Sequence, residues 1–391
     1  PKIGVSGNKI VVTVAADDPN DAAVANRLFF FPKSAYYAGN TPGAWAADVD
    51  STYDGQAPAV NASSQNNAFI AIPDANDVTV TTYTGAATTN APGFSKNVVY
   101  PPKALSAPPN VSQGGGNDSL DLGTLEFTGA AWRSNKLFAA TTVTCDLDPG
   151  VPVENRACVR VFGINTGAGV SLSSDKTLKA ATGSGTDWFD PDLAIDGAGN
   201  VLVTAQDEGT VIGPSLAVFA RKSSGSWVKA RFVAKSTGAV NQAGNPISWW
   251  NSTGAAVDPT SPWDVWVAGS TGQDTTSVAR VSLAKNKATI KASDTKVNKG
   301  SKVTFTAKLA RPDSKDTIKG LPVALQKSPK SSTNWSTIKS GQTSAKGKAQ
   351  WNVKIKKAAK FRALGKGVKQ TGGAGRAIDK VTGKAVTVNL A

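Results

Sequence analysis

Histidine and methionine are both missing from this chain of 391 residues. Without an imidazole, histidine general bases, Ser–His and Cys–His nucleophile pairs and His-ligated zinc are all excluded. Without a methionine, not even an initiator, the sequence reads as a processed product or a fragment from which any secretion signal has gone. No apolar run approaches the ~18 residues of a membrane helix, so no membrane span is expected. Long segments with a helical period are missing too, which leaves little room for α-structure.

Turn formers and strand formers are plentiful. Gly (38) and Pro (21) punctuate segments rich in Val and Thr, the composition of an all-β protein with many turns. The two cysteines, Cys145 and Cys158, flank a polar loop between the strand-like runs LFAATTVT and VRVFGI. A hairpin of that form places them for a disulfide, with two free thiols as the alternative. The disulfide implies an oxidising, extracellular or cell-surface location.

Charge is unevenly divided. Residues 281–391 hold 25 Lys and Arg against 4 acidic residues, while the first 280 residues are net acidic. This shift, with the linker-like SLAKNKATIK, predicts one domain over 1–285 and a basic one over 286–391.

One phrase recurs through the first part. It is clearest in DPDLAIDGAGNVLVTAQ (190–206): a strand of small and aliphatic residues, a Gly/Asn turn and a second strand. Looser copies lie at 1–15, 58–72, 129–142 and 252–269. With Val5, Val60, Trp132, Ile195 and Val257 taken as equivalent, the gaps are 55, 72, 63 and 62 residues. A further strand-like run follows each copy: RLFFFPKSAYY, VTVTTYTG, CVRVFGINT, SLAVFARK and SVARVSLA. Hairpin, third strand and outer segment make a four-stranded propeller blade. A lone blade leaves both faces bare, and blades stacked round an axis cover one another. Small residues such as Gly4, Ala59, Ala194 and Ala255 would let the inner strands crowd together.

These phrases, with PKIGVSGNKIVV, DWFDPDLAIDGAGN and ISWWNSTGAAVDPTSPWDVWVAGS, resemble a group of secreted bacterial β-propellers common in actinobacteria and distantly similar to sialidase-like propellers. The resemblance covers about residues 1–285. About five blades are visible. The group's pattern implies one or two more upstream, cut off or supplied by another polypeptide, which leaves blade count and ring closure open.

Short alternating strands fill the basic part. Val303, Phe305, Ala307 and Leu309 fall on one face of KVTFTAKLA, and Ala349, Trp351, Val353 and Ile355 on one face of AQWNVKI. This predicts a two-sheet sandwich. It is similar to bacterial Ig-like modules, with Trp335, the 345–347 turn and residues 361–363 as counterparts of their motif. Its lysines serve either solubility and edge protection or attachment to an anionic polymer. Few aromatics lie among them, so nucleic acid is not expected as a partner.

Candidates for chemistry are few. Asp17, Asp18 and Asp21 are oxygen ligands that could hold Ca²⁺ in a hairpin loop, though without the spaced series of an EF-hand. No other cofactor is expected. Asp187, Asp190 and Asp192 are placed at one end of a hairpin and Asp207 and Glu208 at the other, where carboxylates could hydrolyse a glycoside. A sialidase site is not expected. None of the seven propeller arginines sits in a corresponding inner-strand phrase, and the turn motif Ser-x-Asp-x-Gly-x-x-Trp is unmatched. Trp249, Trp250 and Asn251 form the most distinctive local stretch, read either as core packing or as an exposed aromatic for a sugar or a protein partner.

The sequence therefore points to a non-enzymatic secreted or cell-surface structural or adhesion protein. Its partners would be envelope polymers, surface proteins or copies of itself, and its Ig-like module would attach it. The competing reading is a carbohydrate-binding or glycoside-hydrolysing propeller that uses loop carboxylates.

Overall fold

Alternating side chains and tight turns dictate hairpins, and the computed structural model forms an antiparallel hairpin at each of the five recurring phrases. It describes residues 2–16, 25–40, 45–48, 57–61, 65–85, 93–112, 119–146, 155–180, 185–209, 212–236, 247–248, 253–272, 275–283, 287–310, 320–365 and 381–391. The chain divides into two compact units, Pro1–Ala279 and Arg280–Ala391.

In the first unit, blade one pairs β1 (Lys2–Val5), β2 (Lys9–Ala16), β3 (Ala25–Pro32) and β4 (Trp45–Asp48) in chain order, with one helical turn, α1 (Lys33–Tyr37), before the last. Blade two has a split inner segment, β5 (Ala57–Pro58) and β6 (Val60–Asn61). Then come β7 (Ala68–Pro73), β8 (Val78–Tyr83) and β9 (Phe94–Val99). While β5 pairs with β7, β6 runs parallel to the inner strand of blade three. Short strands β10 (Val111–Ser112) and β11 (Ser119–Asp121) precede that blade, which is β12 (Phe127–Arg133), β13 (Lys136–Asp146), β14 (Asn155–Asn165) and β15 (Ser171–Leu178). Blade four is β16 (Thr186–Ile195), β17 (Val201–Gly209), β18 (Ile212–Arg221) and β19 (Trp227–Ser236). After β20 (Ile247–Ser248), which pairs with β11, the fifth sheet has three strands, β21 (Thr253–Asp258), β22 (Ser261–Ser270) and β23 (Thr276–Val281).

The cores lie between sheets, as burial requires of stacked blades. Val11, Leu28 and Phe30 of blade one meet Ala68, Ile70 and Ile72 of blade two. The opposite face of blade two, with Phe69 and Ala71, meets Trp132, Leu137, Ala139 and Phe162 of blade three, and the Phe69 and Trp132 rings stack 5.4 Å apart. The other face of blade three, with Ala131, Phe138 and Ala140, meets Leu193, Ile195, Val201 and Val203 of blade four. Strict alternation along β7 and β13 thus feeds two different cores. Inner strands approach closely where side chains are small. A Cβ on Gly4 would stand 2.6 Å from that of Pro58, so only glycine fits there. The fold is a propeller-like all-β array.

The sequence reading ran the third strand of blade one on through Tyr37, and the structure corrects it. The strand ends at Pro32, which has no N–H to continue the ladder and whose φ of −67° suits entry into α1. Among the described residues no helix is long and apolar enough to cross a membrane.

The second unit is a two-sheet sandwich. One sheet is ordered β24 (Lys287–Ala292), β26, β29, and the other β25 (Lys296–Val297), β32, β30, β27, β28. Here β26 is Lys302–Ala310, β27 Pro322–Pro329, β28 Ser336–Gln342, β29 Lys348–Lys354 and β30 Ala359–Gly365. The last two are β31 (Val381–Thr382), paired with β30, and β32 (Val386–Leu390). Val303, Phe305, Ala307 and Leu309 face Val323, Leu325, Phe361 and Ala363, and the rings of Phe305 and Phe361 lie 4.4 Å apart. The charge shift puts the domain boundary at 285/286, whereas the compact units divide within β23.

Candidate active site

The inner strand β16 carries the acidic residues of DWFDPD, and it is not regular. Pro191 cannot donate to the ladder, so the pairing with β17 breaks between Phe189 and Asp192. Asp190 takes φ = 49°, a left-handed conformation uncommon for a non-glycine residue within a strand. Hydroxyls hold the backbone there. The Asp190 amide donates to Thr142 Oγ1 (2.9 Å), Thr253 Oγ1 donates to the Asp190 carbonyl (2.6 Å), and Thr128 Oγ1 donates to the Pro191 carbonyl. The bulge re-aims the next side chain.

That side chain is Asp192. Its Oδ1 accepts the Leu193 amide and its Oδ2 the amide of Ala255 from blade five, both at 2.7 Å. Gly129 of blade three passes so near that a Cβ there would lie 2.4 Å from Oδ1. Lys2 of blade one is within electrostatic reach. Four inner strands therefore converge on one carboxylate, on a residue that is half-buried as a whole. Burial, reinforced by the charge of Asp190, outweighs the two amides and Lys2 and lifts its pKa to about 7. Lys2 also donates to Glu126 Oε2 (2.8 Å) and to the Phe127 carbonyl (2.5 Å).

Asp187, Asp207 and Glu208 form a separate group. The sequence reading set them at opposite ends of the hairpin. The structure corrects this: the hairpin folds back at 197–199, so Asp187 lies directly opposite Glu208. Asp187 accepts the Ala157 amide (2.7 Å) and pairs with Arg156 (3.1 Å). Glu208 is wholly buried and neither of its oxygens has a hydrogen-bond partner among the described residues. Burial first, then the charges of Asp187 and Asp207, push it up to about 8. Burial likewise raises Asp207 to about 6. Along the strand, Asp187 and Asp192 are roughly 15 Å apart, beyond the ~5–10 Å of a glycosidase pair. The two groups act independently.

Cys145 and Cys158 form a disulfide, with Cα atoms 5.9 Å apart, that ties β13 to β14. Asp17, Asp18 and Asp21 lie outside the described residues, as do Trp249, Trp250 and Asn251. Among the described residues no acidic or cysteine group has the geometry of a metal site. Arg160 is structural: it grips Asp175 through Nε (2.9 Å) and Nη2 (2.6 Å) and donates to the carbonyls of Lys103 and Ala104. A surface cavity of ≈ 250 Å³ at the 197–199 turn is lined by Arg133, Lys136 and Arg221 and by no acid, so it offers no proton donor.

No protein-family profile matches the chain. No curated protein matches it by sequence. Among solved structures, the GH32 beta-fructofuranosidase of Bombyx mori is similar over 85% of this chain and 86% of its own, at 7% identity and a TM-score of 0.33. A protein described as the extracellular domain of a hybrid two-component system of B. thetaiotaomicron is similar over 98% of this chain and 55% of its own, at 10% identity and a TM-score of 0.21. The expectation that the chain is not an enzyme is corrected here, since a structural neighbour is a glycoside hydrolase. At that TM-score the likeness assigns no activity.

Proposed function

We propose that this chain is an extracellular saccharide-directed protein whose propeller hydrolyses a glycosidic bond at its axis, with Asp192 as the proton donor. One observation carries the reading: a carboxylate gripped by neighbouring inner strands, on a half-buried residue, with its pKa moved to about 7. A glycosidase acid must hold its proton at working pH and release it to the leaving oxygen, which a carboxyl in its ordinary range does poorly. Glu126, ion-paired to Lys2, is the second carboxylate. Its role is to activate water or attack the sugar carbon while Lys2 fixes its position. The strained bulge supports the assignment, because backbone held in sparsely populated regions concentrates at working sites. The disulfide and the resemblance to secreted bacterial propellers support the extracellular setting, where envelope polymers supply substrate.

The test is release of reducing ends from a panel of glycans and aryl glycosides. Asp192→Asn should lower turnover on the cleaved substrate by at least ~100-fold. Glu208→Gln, which replaces an already protonated group away from the axis, should leave it within about twofold. Saccharide binding without cleavage would reduce the site to a lectin. Full turnover by Asp192→Asn would remove the acid from this position.

A further inference from the structure

The outward face of the sheet β24–β26–β29 carries Lys287, Thr289 and Lys291, then Lys302, Thr304, Thr306 and Lys308, then Lys348, Gln350, Asn352 and Lys354. Six are lysines, all exposed, and none of the eleven is acidic. The register sets like charges side by side: Lys302 is directly opposite Lys354, and Lys308 directly opposite Lys348. Such pairs repel across strands only ~4.8 Å apart. No ion pair among the described residues reaches any of the six.

Edge protection does not explain this. Lysines guard exposed strand edges, but Lys302 and Lys308 lie on β26, the central strand of the three. Solubility needs neither direct pairing nor the exclusion of acids. The two rows of paired lysines are six residues apart along β26, roughly 20 Å, so no single small anion spans both. Between the rows lies a floor of hydroxyls and amides, where Thr304 Oγ1 donates to Asn352 Oδ1 (2.8 Å) and Gln350 Nε2 donates to Thr306 Oγ1 (3.0 Å). Their remaining donors and acceptors face outward, as sugar hydroxyls require. No aromatic and no arginine stands on this face, so it offers no platform for bases and no bidentate fork for phosphate.

We infer that this sheet face is a docking surface for a linear acidic polysaccharide, laid across both lysine rows with its carboxylates on the ammonium groups. The inference stands apart from the axial chemistry, in which none of these residues takes part.

Co-sedimentation and affinity electrophoresis of the full chain with polygalacturonate, dextran, polyphosphate and duplex DNA test it. Polygalacturonate should be held at 50 mM NaCl and lost by 300 mM, and dextran should not be held. The double variant Lys302→Gln/Lys354→Gln should weaken retention at least fivefold, and its thermal midpoint should not fall, since the change removes a repulsion. The variant Lys330→Gln/Lys339→Gln alters the net charge equally away from this face, in the turn after β27 and on β28, and should change retention less than twofold. Equal loss in both variants would reduce the effect to net charge and overturn the assignment, as would failure to retain polygalacturonate. Tighter binding of polyphosphate or DNA than of polygalacturonate would assign the face to a different polyanion and overturn the polysaccharide.

Discussion

Raising the pH from 4.5 to 8.5 should destabilise the propeller, opposite to the behaviour of a protein whose carboxylates are salt-bridged. Asp192 moves from 3.8 in the unfolded chain to about 7 when folded. The folded state therefore binds this proton more tightly. The stability it provides is fully present below about 3.8 and is lost as pH rises through 7. At ~1.4 kcal/mol per pH unit, a shift of this size corresponds to about 4 kcal/mol, or roughly 2–4 kcal/mol after allowing for solvent at this half-buried residue. Asp207, at about 6, and Glu208, at about 8, act in the same direction. The assay is calorimetric or urea unfolding of wild type and Asp192→Asn across this range. At low pH the variant should be about 1–3 kcal/mol less stable, because one amide oxygen cannot serve both the Leu193 and the Ala255 N–H. Its decline towards pH 8.5 should be shallower by roughly 2–4 kcal/mol. A variant that declines as steeply as wild type, or a wild type more stable at pH 8 than at pH 5, would refute burial as the controlling influence on Asp192.

Gly4→Ala should lower stability by about 1–3 kcal/mol, read as a drop in thermal midpoint, because the new Cβ meets Pro58 at 2.6 Å and the Ala59 carbonyl at 2.7 Å. An unchanged midpoint would mean that blades one and two are not in contact there. Reducing the Cys145–Cys158 bridge, which closes a separation of 13 residues, should remove ~3 kcal/mol, seen as a lower urea midpoint in the presence of reductant. Lys9→Met should destabilise by about 1–3 kcal/mol, measured by the same unfolding. The buried ammonium of Lys9 donates to Asn8 Oδ1 and to the carbonyls of Asn66 and Gly85, tying the first turn of blade one to blade two.

Residue pattern alone revealed the hairpins, because a turn flanked by period-two segments leaves few other structures open to the chain. Residues 201 and 203 illustrate it: Val201 and Val203 are buried on one face of β17, as their spacing requires. Along β2 apolar residues fall on both faces, Val11 on one and Ile10, Val12 and Val14 on the other, and pattern alone does not say which is covered. The buried residues there are Lys9, Val11 and Thr13, since that face meets blade two. Counting apolar residues cannot reveal a lysine satisfied by three acceptors. The sandwich was easier to read, since the inward faces of its strands are apolar and alternate with polar residues along β26 and β29.

The sequence marked Asp192 as one of the carboxylates of DWFDPD but did not show what gathers round it. Burial, the Leu193 amide and Asp190 act beside the Ala255 amide, which comes from 63 residues away, and Gly129, also 63 residues away, packs against its Oδ1. The one local signal was Pro191, a residue that an inner strand cannot pair regularly and that therefore forces a bulge. Proline in the middle of a strand, a left-handed aspartate and a buried acid each weaken the fold when taken alone. Three such departures fall together within residues 190–192, as expected of a working site, since local consistency gives way where function needs a particular geometry. The lysine pairs on the sandwich depart from a different rule: like charges set directly opposite one another repel, and here one of each pair lies on a central strand. The two proposals above give both departures the same explanation, a ligand whose binding offsets the cost.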